Sequence, residues 1–278
     1  MEVGMIKDKF LLRTMLLPDV WERYGIQYEE CTPDIGIQPY KISICTNCMN
    51  RTSDLMQTYE QNIIDNPQAD FVLLNYNSQD NMDEWVATAL QTYIDAGVLN
   101  YYKTTEPKYY SMAHSRNITF KLAQGDIINS VDGDHFTNKG FAQKINEIAN
   151  AYNDKLTVLV KSKQKNRGRI GMFKETFISL GGYNEDLEGY GFEDEDLLLR
   201  AYHTGCRVIR YGGAYMRITD DHSRHPTENY KNKDWQFTQR RNILLSLLGI
   251  TMKQYVANTN RHWGKATLLK NFRERIKI

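Results

Sequence analysis

Between residues 40 and 151 the chain alternates short apolar runs with longer stretches whose apolar residues recur every three or four positions. Tyr40-Lys41-Ile42-Ser43-Ile44-Cys45-Thr46, Asp70-Phe71-Val72-Leu73-Leu74-Asn75, residues 98–103 and Ile127-Ile128-Asn129-Ser130-Val131 have the first pattern and read as strands. Residues 52–64, 82–96, 115–124 and 139–151 have the second and read as helices, and a further strand is expected near 207–211. Strand and helix in alternation predict an α/β fold with a mostly parallel, Rossmann-like central sheet. Residues 1–40, broken by Pro18, Pro33 and Pro39, are expected to pack on a main domain of residues 41–230. Residues 231–278 read as a helical, basic C-terminal extension. Open α/β sheets bind ligands outside the carboxyl ends of their strands. Asn50-Arg51, Asn77-Ser78 and Asp132-Gly133-Asp134 all follow such ends.

Composition narrows the partners. Lys+Arg 35 against Asp+Glu 34 leaves a net charge of +1 in 278 residues. Such a chain has no global field for nucleic acid, so a charged ligand must be held locally. Four cysteines are too few and too dispersed for a disulfide framework, and Cys45-x-x-Cys48 lacks a second pair to complete a zinc site, so a structural role is expected. No apolar run approaches the roughly 20 residues of a membrane span, and neither a signal peptide nor an anchor is evident. The expected location is cytoplasmic, with peripheral contact at the inner face of a membrane left open.

Two acidic constellations could carry chemistry. A D-x-D motif is common by chance, and Asp194-Glu195-Asp196 is a second one here. Asp132-Gly133-Asp134 differs in emerging from an apolar strand, where two carboxylates flanking a glycine suit a hard divalent cation beside a diphosphate; a turn capping the next helix is the alternative. The second constellation, Leu180 through Leu197, places four glycines and several aromatics ahead of Glu193-Asp194-Glu195-Asp196. Acids at a helix start are favoured by the macrodipole, which accounts for some of the four.

Gly181-Gly182-Tyr183-Asn184-Glu185 followed by Gly189-Tyr190-Gly191-Phe192-Glu193-Asp194 resembles the C-terminal signature of β-1,4-galactosyltransferases and chondroitin-polymerase-type transferases. From about residue 42 to 224 the chain is similar to a family 2-like GT-A glycosyltransferase. Asn50-Arg51, Asn77-Ser78, Ser115-Arg116-Asn117 and the D-x-D follow in the family's order. Tyr190 stands where that signature has Trp, and Asn75 where many relatives carry an acid that reads uracil.

The resemblance implies an inverting transfer from a UDP-sugar of the galactose, N-acetylgalactosamine or N-acetylglucosamine type to a hydroxyl of a glycan or lipid-linked glycan, in bacterial surface polysaccharide or glycolipid synthesis. It implies Mn²⁺, or else Mg²⁺, on Asp134 and on His222 of the His222-Ser223-Arg224 segment, with His225 as the fallback ligand. Asp132 would support the donor's ribose or the metal's waters, while Arg51, Asn77 and Arg116 match nucleotide-holding positions. Asp194 matches the general base and Glu193 the acceptor-orienting acid. His114, His135, His203 and His262 are expected to be structural or solvated. A retaining N-acetylgalactosaminyltransferase-like enzyme usually has Asn at the position of Asp194, a nucleotidyltransferase would need a Gly-rich phosphate loop absent here, and a noncatalytic nucleotide-sugar-binding module has no use for a base.

The tail 265–277 sets Leu268, Leu269, Phe272 and Ile276 along one helical face beside basic residues. It reads as a core-facing helix, or as a surface helix bringing the enzyme to a membrane-borne acceptor.

Overall fold

The computed structural model describes residues 28–30, 40–152, 155, 157–161, 169–211, 217–219 and 227–278. Its strands are Tyr28–Glu30 (β1), Ile42–Cys48 (β2), Asp70–Tyr76 (β3), Leu99–Thr104 (β4), Ile127–Ser130 (β5), His135–Phe136 (β6), Thr157–Lys161 (β7), Ile170–Phe173 (β8), Arg207–Tyr211 (β9), Arg217–Ile218 (β10), Thr267–Lys270 (β11) and Glu274–Lys277 (β12). The helices are Thr52–Asp65 (α1), Met82–Ala89 (α2), Gln91–Asp95 (α3), Met112–Leu122 (α4), Phe141–Tyr152 (α5), Lys174–Ser179 (α6), Glu193–His203 (α7) and Trp235–Thr251 (α8).

Ten strands form one sheet in the order β1-β9-β7-β8-β5-β2-β3-β4-β11-β12, and β6 pairs with β10 separately. The β2–β3, β3–β4 and β2–β5 pairings are parallel, as the strand-helix alternation requires. β2 therefore has β3 on one side and β5 on the other. The chain winds outward in both directions from this point, and a crevice opens above the carboxyl ends of β2 and β5.

Both faces of the central strands are covered, which is why β3 reads as an almost unbroken apolar run. Phe71 and Leu73 pack with Leu55, Tyr59 and Val86 of α1 and α2, and with Phe141 and Ile145 of α5. Val72, Leu74 and Tyr76 face the other way, onto Ile118 and Phe120 of α4 and Leu197 to Leu199 of α7. The same alternation sends Cys45 and Cys48 to opposite cores. Both thiols are free and buried, and burial pushes Cys48 up to about 12. The C-x-x-C is core packing, with its two sulfurs directed apart.

The helix expected over 82–96 is two helices, because Leu90 leaves helical geometry at φ −113° and is fully buried between them. A larger correction concerns the C-terminal extension. Helix α8 is present, but the stripe at 265–277 is a hairpin, not a helix: Leu268 pairs with Ile276, and β11 runs antiparallel to β4 at the sheet edge. Residues 268, 272 and 276 recur every four positions, a spacing that satisfies both a helix face and one face of a strand. Asn271 and Phe272 take left-handed φ of 48° and 62° and close the turn, with Arg273 N–H donating to Lys270 O at 3.0 Å. Of the N-terminal segment, β1 pairs in parallel with β9; residues 1–27 and 31–39 lie outside the described residues.

Candidate active site

The crevice holds a cavity of about 240 Å³ lined by Asn47, Arg51, Asp54, Tyr110, Asp132, Gly133, Asp134, Tyr190 and Tyr230, among others. Its floor is built by strand ends. Asn50 turns the chain out of β2 at a left-handed φ of 59°, which Asn tolerates, and presents Arg51. Arg51 Nε pairs with Asp54 at 2.6 Å, and its Nη2 approaches Asp134 at 3.9 Å. From β5 come Asp132 and Asp134. Between them Gly133 serves packing: a Cβ there would lie 3.0 Å from Leu55 of α1, and Thr58 donates to the Gly133 carbonyl at 2.6 Å.

Arg116 of α4 lies beneath this floor, 2% exposed. One guanidinium nitrogen meets Asp194 at 2.5 Å and Glu193 at 3.4 Å; the other meets Asp132 at 3.2 Å. Three carboxylates from two distant segments thus converge on one buried cation, and Arg169 adds a second contact to Asp132 at 3.5 Å. Burial works to raise the Asp132 carboxyl, but Arg116 and Arg169 outweigh it and hold the group well below the usual carboxylate range. Glu193 goes the other way: burial, then the neighbouring Asp194, pushes it up to about 8. Both causes favour the protonated form of Glu193. Asp194 takes Arg116 and the Tyr183 hydroxyl, at 3.3 Å, on Oδ1, while its Oδ2 accepts no hydrogen bond among the described residues.

Both acids start α7, where the macrodipole favours negative charge. Phe192 caps that helix at a left-handed φ of 75°, a strained conformation for a bulky residue, next to the paired acids. Asn77 stands apart from this cavity. Its amide donates to Pro107 O at 2.7 Å and it lines an adjoining cavity of about 550 Å³ that shares Met49, Asn229 and Tyr230 with the first.

Residues 42–161 match the family model for glycosyltransferase like family 2, and residues 155–225 match the model described as the N-terminal domain of galactosyltransferase. Both are glycosyltransferase models, and together they span residues 42–225 of a GT-A-type fold. The fold is similar to that of a mannosyltransferase from Pyrobaculum calidifontis solved with GDP-Man and Mn²⁺, at a TM-score of 0.62 and 14% identity over 86% of this chain and 71% of that one. S. aureus TarS in complex with UDP-GlcNAc gives a TM-score of 0.60 at 16% identity, covering 78% of this chain and 70% of that one. GalNAc-T7 with UDP, GalNAc and Mn²⁺ gives 0.51 at 16% identity, with 62% of this chain and 43% of that chain covered. No curated protein matches the chain.

Several residues of the site are not singled out by the sequence reading. His135 places Nδ1 2.5 Å from Asp134, and with Asp132 and Asp134 its ligand atoms all lie within 4.8 Å of one another. It is buried, and its Nε2 has no hydrogen-bond partner. Two carboxylates and an imidazole fit a divalent cation of the Mn²⁺ kind. The sequence points instead to His222, which with His225 lies outside the described residues. A D-x-D-H tetrapeptide was the available cue. Asp54, Asn47, Tyr230, Tyr110 and Tyr76 have no such cue, whereas Tyr190 falls within the signature; rings of Tyr190, Tyr230, Tyr110 and Tyr76 meet edge to face at 6.1, 5.2 and 5.8 Å, brought together from four segments. Asn75 is buried, its amide donating to Asp83 at 2.9 Å and its oxygen accepting from Ser78 N–H at 2.7 Å, so it shapes the loop after β3.

Proposed function

We propose that this glycosyltransferase moves a sugar from a UDP-sugar of the galactose, N-acetylgalactosamine or N-acetylglucosamine type to an acceptor hydroxyl with inversion, in the synthesis of a bacterial surface polysaccharide or glycolipid. The observation that carries the reading is the convergence of Asp132 and Asp194 on Arg116, which sets the D-x-D strand end and the Glu193-Asp194 helix start around one crevice. TarS and GalNAc-T7 are solved with uridine nucleotides, and GalNAc-T7 and the mannosyltransferase with Mn²⁺, which supports a nucleotide-sugar donor and a divalent cation here. Asp132, Asp134 and His135, or His222, would hold that cation. When bound it offsets the charge that develops on the leaving diphosphate.

The chain's own groups divide the remaining work. Arg51 stands at the rim where a guanidinium reaches phosphate oxygens. Arg116 is a positioning residue, its charge taken up by carboxylates. Asp194 Oδ2 has an open lone pair to receive the acceptor hydroxyl's proton, and protonated Glu193 beside it is a donor that can orient the acceptor. Asparagine keeps the shape of Asp194 and cannot take a proton. Asp194→Asn is therefore expected to lower transfer by roughly 10²- to 10⁴-fold while UDP-sugar affinity stays within about twofold. Transfer rate and calorimetric affinity, measured side by side, check this; an Asp194→Asn enzyme that transfers at the parental rate would remove the base assignment.

A further inference from the structure

Helix α8 carries apolar residues on both its inner and its outer side. Its buried side is mixed: Thr238, Asn242 and Ser246 face inward with Ile243, and Leu247 and Ile250 pack against the core. These polar groups grip the glycine-rich loop. Thr238 Oγ1 donates to Tyr190 O at 3.0 Å, and the Asn242 amide donates to Glu188 O at 3.1 Å and Gly191 O at 2.8 Å.

The outward side is apolar. Phe237, Leu244, Leu245, Leu248 and Met252 are exposed, Phe237 and Leu248 at 57% and Met252 at 58%. At 3.6 residues per turn the five positions fall within an arc of about 100°, which Arg241 also shares. Trp235 and Val256 are also exposed, Trp235 on another side of the helix and Val256 beyond its end. Seven of the eleven exposed large hydrophobics among the described residues lie between 235 and 256, a concentration in one segment.

The charges beside the patch are of one sign. Residues 231–256 include Lys231, Lys233, Arg240, Arg241 and Lys253 against the single acid Asp234, in a chain with a net charge of +1. Asp234 accepts the Phe237 N–H as the helix cap, and Arg241 is tied to the Asp186 carbonyl. Lys231, Lys233, Arg240 and Lys253 are exposed. Of the acids on the loop below, Asp186 pairs with Arg261, and Glu188 remains at the surface.

We propose that α8 docks the enzyme on an anionic lipid surface, its apolar arc entering the acyl boundary and its lysines and arginines meeting the headgroups. No described helix is long and apolar enough to cross a membrane, and the inner face of α8 is tied to the protein, so the helix lies on the bilayer. Because that inner face holds loop 188–191, docking sets the mouth of the crevice beside the membrane. An acceptor carried on a lipid would be presented there; this last step rests on the sugar-transfer reading, and docking does not.

The test uses the full chain, without donor, and co-sedimentation with vesicles of phosphatidylcholine alone or mixed with phosphatidylglycerol. Binding to the mixed vesicles is expected and binding to the neutral ones is not. Each cation near such a surface strengthens partition about fivefold, so Arg240→Ala with Lys253→Ala should weaken it about 25-fold. Phe237→Ser with Leu248→Ser should weaken it at least about tenfold, with the melting temperature unchanged because both side chains point outward. Wild-type protein that ignores both vesicles overturns the proposal, as does equal binding to both. So does a wild-type dimer, seen by light scattering, that Leu248→Ser dissociates, which would make the arc a contact between copies of the chain.

Discussion

Glu193 and Asp194 are neighbours of like charge on one helix turn, yet their surroundings divide them. Arg116 lies 2.5 Å from Asp194 and 3.4 Å from Glu193, and Glu193 is the one pushed up to about 8 by burial and by Asp194. A raised carboxyl pKa favours the folded state below the ordinary value of 4.5, and that contribution is lost as pH climbs through about 8. Glu193→Gln keeps the neutral form at every pH. Its melting temperature should therefore rise relative to the parent between about pH 4.5 and 8 and hold a constant lead above that; parallel Tm curves would show that Glu193 does not keep its proton. The histidines offer a second test. If His135 completes the cation site with Asp132 and Asp134, His135→Ala should weaken Mn²⁺-dependent UDP binding by on the order of tenfold or more. Calorimetry with and without EDTA on His135→Ala and His222→Ala separates the two candidates, since the variant lacking the true ligand should lose most of the manganese effect.

Among the elements, the C-terminal hairpin shows how a single residue can stand in for a strand. Asn271 N–H donates to Tyr101 O and its side-chain oxygen accepts from Tyr101 N–H, both at 2.8 Å, extending the β4 ladder past the end of β11. Phe272 then lies over the Tyr101 ring at 4.9 Å. Asn271→Val loses the side-chain acceptor and places a β-branched residue at a left-handed φ. A loss of about 2–3 kcal/mol is expected, read from the urea midpoint; a midpoint unchanged from the parent would mean that the hairpin does not seal the edge. Helix α8 is legible as a helix because its length and leucines suffice, but its orientation is not. A run with apolar residues on both sides gives no sign of which turns inward, and hydrogen bonds to loop 188–191 settle the matter.

For the molecule as a whole, Arg116 joins layers that the chain order keeps far apart: the end of β5, the start of α7, and the Tyr183 ring 5.5 Å from its guanidinium. Arg116→Met would leave three acids facing one another under a buried floor. Loss of roughly 3–5 kcal/mol is expected by chemical denaturation, and a stable Arg116→Met protein would show that the carboxylates need no central cation. Legible in the sequence were the α/β alternation, β2 to β5 and their helices to within about three residues apart from the break at Leu90, the positions of Arg51, Asp132 and Asp134 at strand ends, and the placement of Glu193-Asp194 at a helix start. All of these follow from periodicity and punctuation within a dozen or so neighbouring residues. Tertiary structure alone decided that Arg116 faces carboxylates, that His135 joins the D-x-D, that four tyrosines meet, and that residues 265–277 form a strand pair. Each of those depends on which distant segment supplies the partner. A four-residue apolar spacing fits a helix face and a strand face equally, and an arginine in sequence does not show whether a phosphate or a buried aspartate will answer its charge.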